Sequence, residues 1–235
     1  MKRLQTKIYA DGADLSALKM LCANPVIRGF TTNPTLMRKS GVTDYKAFAR
    51  AALDLVGDRP ISFEVFSDEL NEMEQQARTL AGWGGNVYVK IPVTNTRGEW
   101  AGDLVRRLSQ SGVRVNVTAV MTLPQVERLA KCLQGGAPSN ISIFAGRIAD
   151  SGVDPLPVMR KALEIVGSST TIEIIWASPR ELLNLVQASD VGCHIITVTS
   201  EILAKLPLLG RDLDEYSLDT VKMFHGDAMA AGYRL

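Results

Sequence analysis

"NVYVKIPVT", residues 86–94, is a strand pattern with a charge set into it. Val87, Val89, Ile91 and Val93 alternate with Tyr88, Lys90 and Pro92, the period of two that marks an extended chain. Two readings of Lys90 lead in different directions. On an edge strand its ammonium group stands in water, the ordinary position of a lysine. Buried among other strands, the amine is desolvated, and desolvation favours its neutral, nucleophilic form. The segments around it decide between the two.

Strand-like runs recur along the chain: "KIYA", "IRGFTT", "ISFEV", "VYVKIP", "VRVNVTAV", "NISIFA", "TIEIIWA" and "HIITVT". Helical patterns lie between them. Ser67 is placed to cap a helix carrying Leu70, Met73, Ala77 and Leu80, which the glycines between 82 and 85 end. Thr122 and Gln125 form a capping box ahead of Val126, Leu129 and Leu133. Asp154-Pro155 opens a helix with Leu156, Met159, Leu163 and Val166, and weaker helical patterns cover Arg180 to Ala188 and the stretch from Leu203. Eight strands in 235 residues leave about 29 residues per unit, which fits a single (β/α)8 TIM barrel over residues 1–213. The remaining residues, 214–235, predict an additional C-terminal helix. A doubly wound open sheet shares the alternation, but "ADGADLSAL" after the first strand lacks the Gly-rich dinucleotide fingerprint.

The bulk properties agree with one soluble domain. Hydrophobic residues make up 46% and charged residues 22%, and a net charge of +1 gives no electrostatic case for a nucleic-acid or membrane partner. Cys22, Cys132 and Cys193 form no C-x-x-C pair and suggest neither a disulfide framework nor a zinc site, so all three are expected as small buried groups. Lys2 and Arg3 precede no apolar run of signal-peptide type, and a cytoplasmic protein is expected. His194 and His225 fall at no strand end beside a partner and read as packing residues.

In a βα barrel, chemistry collects at the carboxyl ends of the strands. Here those ends carry Asp11, then Thr31, Thr32 and Asn33, then Glu64, Lys90, Asn116 with Thr118, Ser142 with Phe144 and Arg147, and Ser178 with Arg180. Each has a structural reading: Asp11, Asn33 and Ser178 as caps or turn formers, the arginines as solvated charges. A common axis removes their independence, and Glu64 and Lys90 within apolar strands demand partners. A desolvated lysine beside carboxylates suits Schiff-base chemistry on a ketone, with a carboxylate taking the proton of a hydroxyl as a C–C bond breaks. Two arginines and a serine suit a phosphate dianion. The set reads as a class I aldol site for a sugar phosphate.

The motifs "GFTTNPTL" (29–36) and "YVKIPVT" (88–94), supported in order by "NVTAVMTLPQ", "SIFAGRI" and "WASPRELL", resemble those of the transaldolases, and the length is similar to their small-subunit subfamily. The resemblance implies that Lys90 forms the Schiff base and that Asp11 exchanges the proton of the C4 hydroxyl. It implies that Glu64, through a water held with Thr118, serves carbinolamine formation and hydrolysis. Asn33 and Ser142 would hold the dihydroxyacetone unit with Asn116 nearby, and Arg147, Ser178 and Arg180 would bind the phosphate. It further implies no metal or organic cofactor, and rings of five subunits that pair into decamers. One departure stands out: Gly12 follows Asp11 where such relatives commonly have Ser or Thr, leaving a hydrogen bond near Asp11 open. The nearest rival is a fructose 6-phosphate aldolase, a lyase of the same structural family; those relatives carry Gln and Tyr where this chain has Glu64 and Phe144. A rival of another class, a sugar-phosphate-binding protein without catalysis, would be expected to lack Lys90 or Asp11.

Overall fold

The period-two segments form eight parallel strands, and they close on themselves. The structure, a computed structural model, describes residues 4–169 and 171–234; Lys2, Arg3 and the final Leu235 lie outside the described residues. The strands are β1 (Lys7–Asp11), β2 (Ile27–Thr31), β3 (Ile61–Glu64), β4 (Val87–Pro92), β5 (Val115–Val120), β6 (Ser139–Ile143), β7 (Ile172–Trp176) and β8 (Ile195–Thr199). Each pairs with the next, and β8 pairs with β1. The strand of Lys90 therefore lies between β3 and β5, in register with Glu64 on one side and Asn116 on the other. Closure removes both the edge-strand reading of Lys90 and the open-sheet alternative.

Helices join the strands: α1 (Leu15–Cys22), α2 (Pro34–Lys39), α3 (Tyr45–Val56), α4 (Leu70–Ala81), α5 (Gly102–Gln110), α6 (Leu123–Leu133), α7 (Ala145–Asp150), α8 (Pro155–Val166), α9 (Leu183–Asp190) and α10 (Ser200–Leu203). Short polar side chains start many of them by accepting a hydrogen bond from the first turn: Asp14, Asn33, Asp44, Thr122 and Asp154. The Thr122–Gln125 capping box forms as its spacing requires. Ser67 does not cap α4. Its hydroxyl accepts from the Glu69 backbone and donates to Glu72 at 2.6 Å, so it ties down the loop, while α4 starts after Glu69 without a side-chain cap. The helix expected from Arg180 starts later, at Leu183, because the Asn184 Oδ1 holds the N–H groups of Arg180 and Glu181 in a turn.

Alternation along each strand sorts side chains into two cores. Val87, Val89, Ile91 and Val93 are buried in the large cluster with helix residues such as Met73, Ala77 and Leu80. Tyr9, Ile175, Ala177 and Ile195, with Phe144 against them, form a second cluster. Gly29 is required there: a Cβ at this position would lie 2.6 Å from the Tyr9 ring. Of the cysteines only Cys193 is fully buried; Cys22 and Cys132 sit half-buried in the helical layer, correcting the expectation for those two. His194 accepts a hydrogen bond from the Ile174 backbone at Nδ1, a packing role.

A final helix, α11 (Leu213–Ala231), is capped by Asp212 and ended by Gly232 at φ 66°. It buries none of its side chains, and Leu218, Val221 and Phe224 are all more than half exposed. Among the described residues no helix is long and apolar enough to cross a membrane.

Candidate active site

At the carboxyl ends of the strands lies a cavity of about 500 Å³, lined by ten of the eleven side chains read as site residues. A second hollow of about 540 Å³, between α6, α8 and the start of β7, contains none of them.

Lys90 is only 6% exposed. Its Nζ lies 3.2 Å from the Glu64 carboxylate and donates to the Thr32 carbonyl at 3.1 Å. The pairing of β3 with β4 creates this contact, since Glu64 and Lys90 are opposite one another in register. Tyr45 secures the end of β3 by donating its hydroxyl to the Glu64 carbonyl at 2.8 Å. Burial pushes the Glu64 carboxyl above its ordinary pKa, against the pull of the Lys90 charge and hydrogen bond.

Asp11 ends β1 beside these groups. Burial raises its pKa as well, opposed by the charge of Lys90 and by a 2.7 Å hydrogen bond donated by Thr31. Thr31 thus supplies Asp11 with a hydrogen bond from the neighbouring strand. Behind it, the Thr31 hydroxyl meets that of Thr197 on β8. Neither threonine was assigned a role from sequence. Thr31 was legible as a strand end; Thr197 was hidden because threonine in a strand is first of all a good strand former.

β5 is bulged. Its register with β6 shifts between Val117 and Val120, and Ala119 adopts φ 60°, a conformation rare outside glycine. The irregularity accompanies Thr118, which lines the cavity and whose buried Oγ1 has no hydrogen-bond partner among the described residues. Asn116 is different: it lies below the cavity, fully buried, accepting from Ser142 Oγ at 2.7 Å and donating to Ser62 Oγ at 3.0 Å. It orients Ser142 rather than facing the cavity itself. Asn33 spends its Oδ1 on the α2 cap, leaving its amide NH2 available at the cavity.

The last group stands at the rim. Ser178 also has φ 60°, and a Cβ on Gly146 would come within 1.6 Å of its carbonyl oxygen, so glycine is needed for the β7–α9 loop to lie against α7. Arg180 makes a two-pronged pair with Asp150, including Nε to Oδ1 at 3.0 Å, and holds that carboxyl below the usual range. Arg147 lies 5.9 Å from the centre of the Phe144 ring. Asp150 went unnoticed in the sequence because a lone carboxylate on an exposed helix is usually solvated. Two guanidinium groups, a hydroxyl and one carboxylate leave this rim positive and suited to an anion.

A family model described as Transaldolase/Fructose-6-phosphate aldolase matches residues 8–234. The chain belongs to the transaldolase/fructose-6-phosphate aldolase family. Among curated relatives of this family member, a "Probable transaldolase" of Dehalococcoides mccartyi is 34% identical over 203 residues, covering 85% of this chain and 89% of its own. A "Probable transaldolase 2" of Listeria monocytogenes is 33% identical over 217 residues, with 91% and 95% covered. The chain is thus a transaldolase-type enzyme. Solved structures extend the likeness to the fold alone: 2,3-dimethylmalate lyase, of the PEP mutase/isocitrate lyase superfamily, superposes with a TM-score of 0.58 at 10% identity over 99% of this chain and 85% of its own. The structure titled "Native KDPGal structure" gives 0.54 at 14% identity, with 84% of each covered.

Proposed function

We propose that this enzyme is a transaldolase that moves a dihydroxyacetone unit between sugar phosphates through a Schiff base on Lys90. The observation that carries the reading is one buried amine at 3.2 Å from the Glu64 carboxylate, with Asp11 lining the same cavity. Glu64, its proton affinity raised by burial, takes the proton of the Lys90 ammonium, and the free amine adds to the C2 carbonyl of the donor. Glu64 returns a proton as water leaves the carbinolamine, giving the iminium; Thr118, whose hydroxyl has no partner among the described residues, helps hold that water. Asp11 accepts the C4 hydroxyl proton while the C3–C4 bond breaks. The aldose phosphate departs, and the bonding pair becomes an enamine conjugated to the nitrogen. The same steps in reverse join the unit to an acceptor aldehyde. Asn33 and Ser142 bind the donor hydroxyls; Arg147, Ser178 and Arg180 bind phosphate.

Transfer is favoured over lysis by Phe144 at the cavity wall, which supplies no proton and no hydrogen bond to a water approaching the iminium. The deciding test is a pair of assays on purified protein: transfer from fructose 6-phosphate to erythrose 4-phosphate, and release of free dihydroxyacetone without acceptor. Transfer much faster than release supports the reading; release as fast as transfer makes the enzyme an aldolase, and neither activity favours a binding protein.

For the phosphate rim, Arg147→Ala and Arg180→Ala are each expected to raise KM for phosphorylated substrates at least about tenfold, since a charge-assisted hydrogen bond contributes about 1.5–3 kcal/mol. Unphosphorylated donors lose much less, and equal losses on both would place the arginines outside phosphate binding. The unburied apolar side chains of α11 support a homo-oligomer, a pentamer or decamer in which this helix covers a neighbouring subunit. Light scattering at micromolar concentration is expected to give such an assembly, and a monomer would refute it. A place in cytoplasmic sugar-phosphate exchange, as in the pentose phosphate pathway, completes the proposal.

A further inference from the structure

The Asp11 carboxylate stands at the end of a hydroxyl chain drawn from two other strands. Thr31 Oγ1 is 2.7 Å from Asp11 Oδ1, and on its other side it is in close contact with Thr197 Oγ1. Both threonines are almost wholly buried, at 2% and 5% exposure. A hydroxyl carries one proton. Thr31 gives its proton to Asp11, so in the Thr31–Thr197 contact the donor is Thr197. The direction of the chain is therefore fixed as Thr197 to Thr31 to Asp11. Barrel closure makes it possible, since β1 lies between β2 and β8, with Asp11 in register with Thr31 and Tyr9 with Thr197.

We propose that Thr197 is a positioning residue of the reaction: by donating to Thr31 it fixes the Thr31 hydroxyl on Asp11, and so sets the orientation and proton affinity of the carboxylate that exchanges the substrate's hydroxyl proton. This rests on the assignment of Asp11 as that proton acceptor. Oδ1 is engaged by Thr31, so the substrate proton goes to Oδ2. The covalent change is the transfer of one proton from hydroxyl to carboxylate, with the C–C bonding pair moving to the iminium. A hydrogen bond donated to Oδ1 favours the ionised carboxylate and, with the charge of Lys90 on β4, opposes the rise that burial imposes on Asp11; Glu64 on β3 is the other carboxyl of this cavity that Asp11 acts on. Without the second bond to Thr197, the Thr31 hydroxyl loses the polarisation that strengthens its donation and the restraint that aims it.

The test is a double-mutant cycle on the full chain, read as the acidic limb of the pH profile of kcat with fructose 6-phosphate and erythrose 4-phosphate. Thr31→Val is expected to move that limb upward by about one pH unit, the worth of one charge-assisted hydrogen bond, and to lower kcat about tenfold or more. Thr197→Val moves it in the same direction by a smaller step. In the Thr31→Val background Thr197→Val adds nothing, because Thr197 has lost the group it acts through. Thr31→Ser and Thr197→Ser keep the hydroxyls and restore the wild-type limb, and Thr197→Ala gives the same comparison where valine crowds the barrel. A limb that stays in place in Thr197→Val and Thr197→Ala, or effects of the two positions that add in full, overturns the proposal. Borohydride trapping on Lys90 is run on every variant. Its persistence with an unmoved limb rejects the relay alone, and its absence from the unmodified enzyme rejects the parent mechanism.

Discussion

Lys90→Arg is expected to abolish transfer, lowering turnover on the order of 10⁴-fold or more, with the barrel intact. The substitution separates charge from nucleophilicity. A guanidinium keeps a cation opposite Glu64, so the 3.2 Å pair does not become a lone buried carboxylate. It stays protonated and cannot add to a carbonyl. Lys90→Met removes the cation too, and is expected to be inactive and also less stable, because Glu64 is then buried without a counter-ion. Steady-state transfer assays with thermal melts distinguish the two. Residual turnover within tenfold of the wild type in Lys90→Arg would move the nucleophile elsewhere.

Asp11→Asn is expected to lower activity by about 10²–10⁴-fold, the usual worth of a general base, while making the protein more stable at neutral pH. Asp11 and Glu64 stand beside the buried Lys90, with the cavity's two arginines out at the rim, and burial raises the pKa of both carboxyls. A carboxyl with a native pKa above its unfolded value of about 3.9 binds its proton more tightly when folded. Its contribution to stability is fully present below the unfolded value and is lost as pH rises through the native value. Above its native pKa the ionised Asp11 is therefore a cost, and the neutral amide of the Asp11→Asn variant escapes it; relief of the repulsion on Glu64 adds to the gain. A gain of about 1 kcal/mol corresponds to roughly 2–4 °C for a chain of this size. The advantage over wild type is expected to shrink as pH falls toward about 4. A melting difference that is independent of pH, or of opposite sign, would contradict this account of the site's charge. The same shifts predict that the acidic limb of wild-type activity lies above the ordinary carboxylate range.

The fold was legible where one face of an element decides its neighbours. The valines around Lys90 alternate because the strand has helices on one side and the cavity on the other, and that pattern survives in a single sequence. Helix starts were legible where one short polar side chain makes the cap, as at Thr122 and Asp154, and misread at Ser67, where the hydroxyl has two closer partners in its own loop. The candidate site was legible because charges inside apolar strands are costly enough to be noticed, as with Glu64 and Lys90. Residues acting through others left weaker marks. Thr197 reaches Thr31 only because β8 closes on β1, and Asp150 reaches Arg180 only because the β7–α9 loop lies over α7. Asn116, expected near the substrate, lies one layer deeper and orients Ser142. Strand-end position alone does not distinguish those depths.

The central claim is a covalent bond between Lys90 and a ketose donor. Fructose 6-phosphate and borohydride, added together to the purified enzyme, reduce any iminium to a stable secondary amine. Peptide mass spectrometry is expected to find a reduced three-carbon unit on the peptide containing Lys90, in step with loss of activity and absent from Lys90→Arg. An adduct confined to another lysine, or full activity with no adduct at all, would contradict the mechanism.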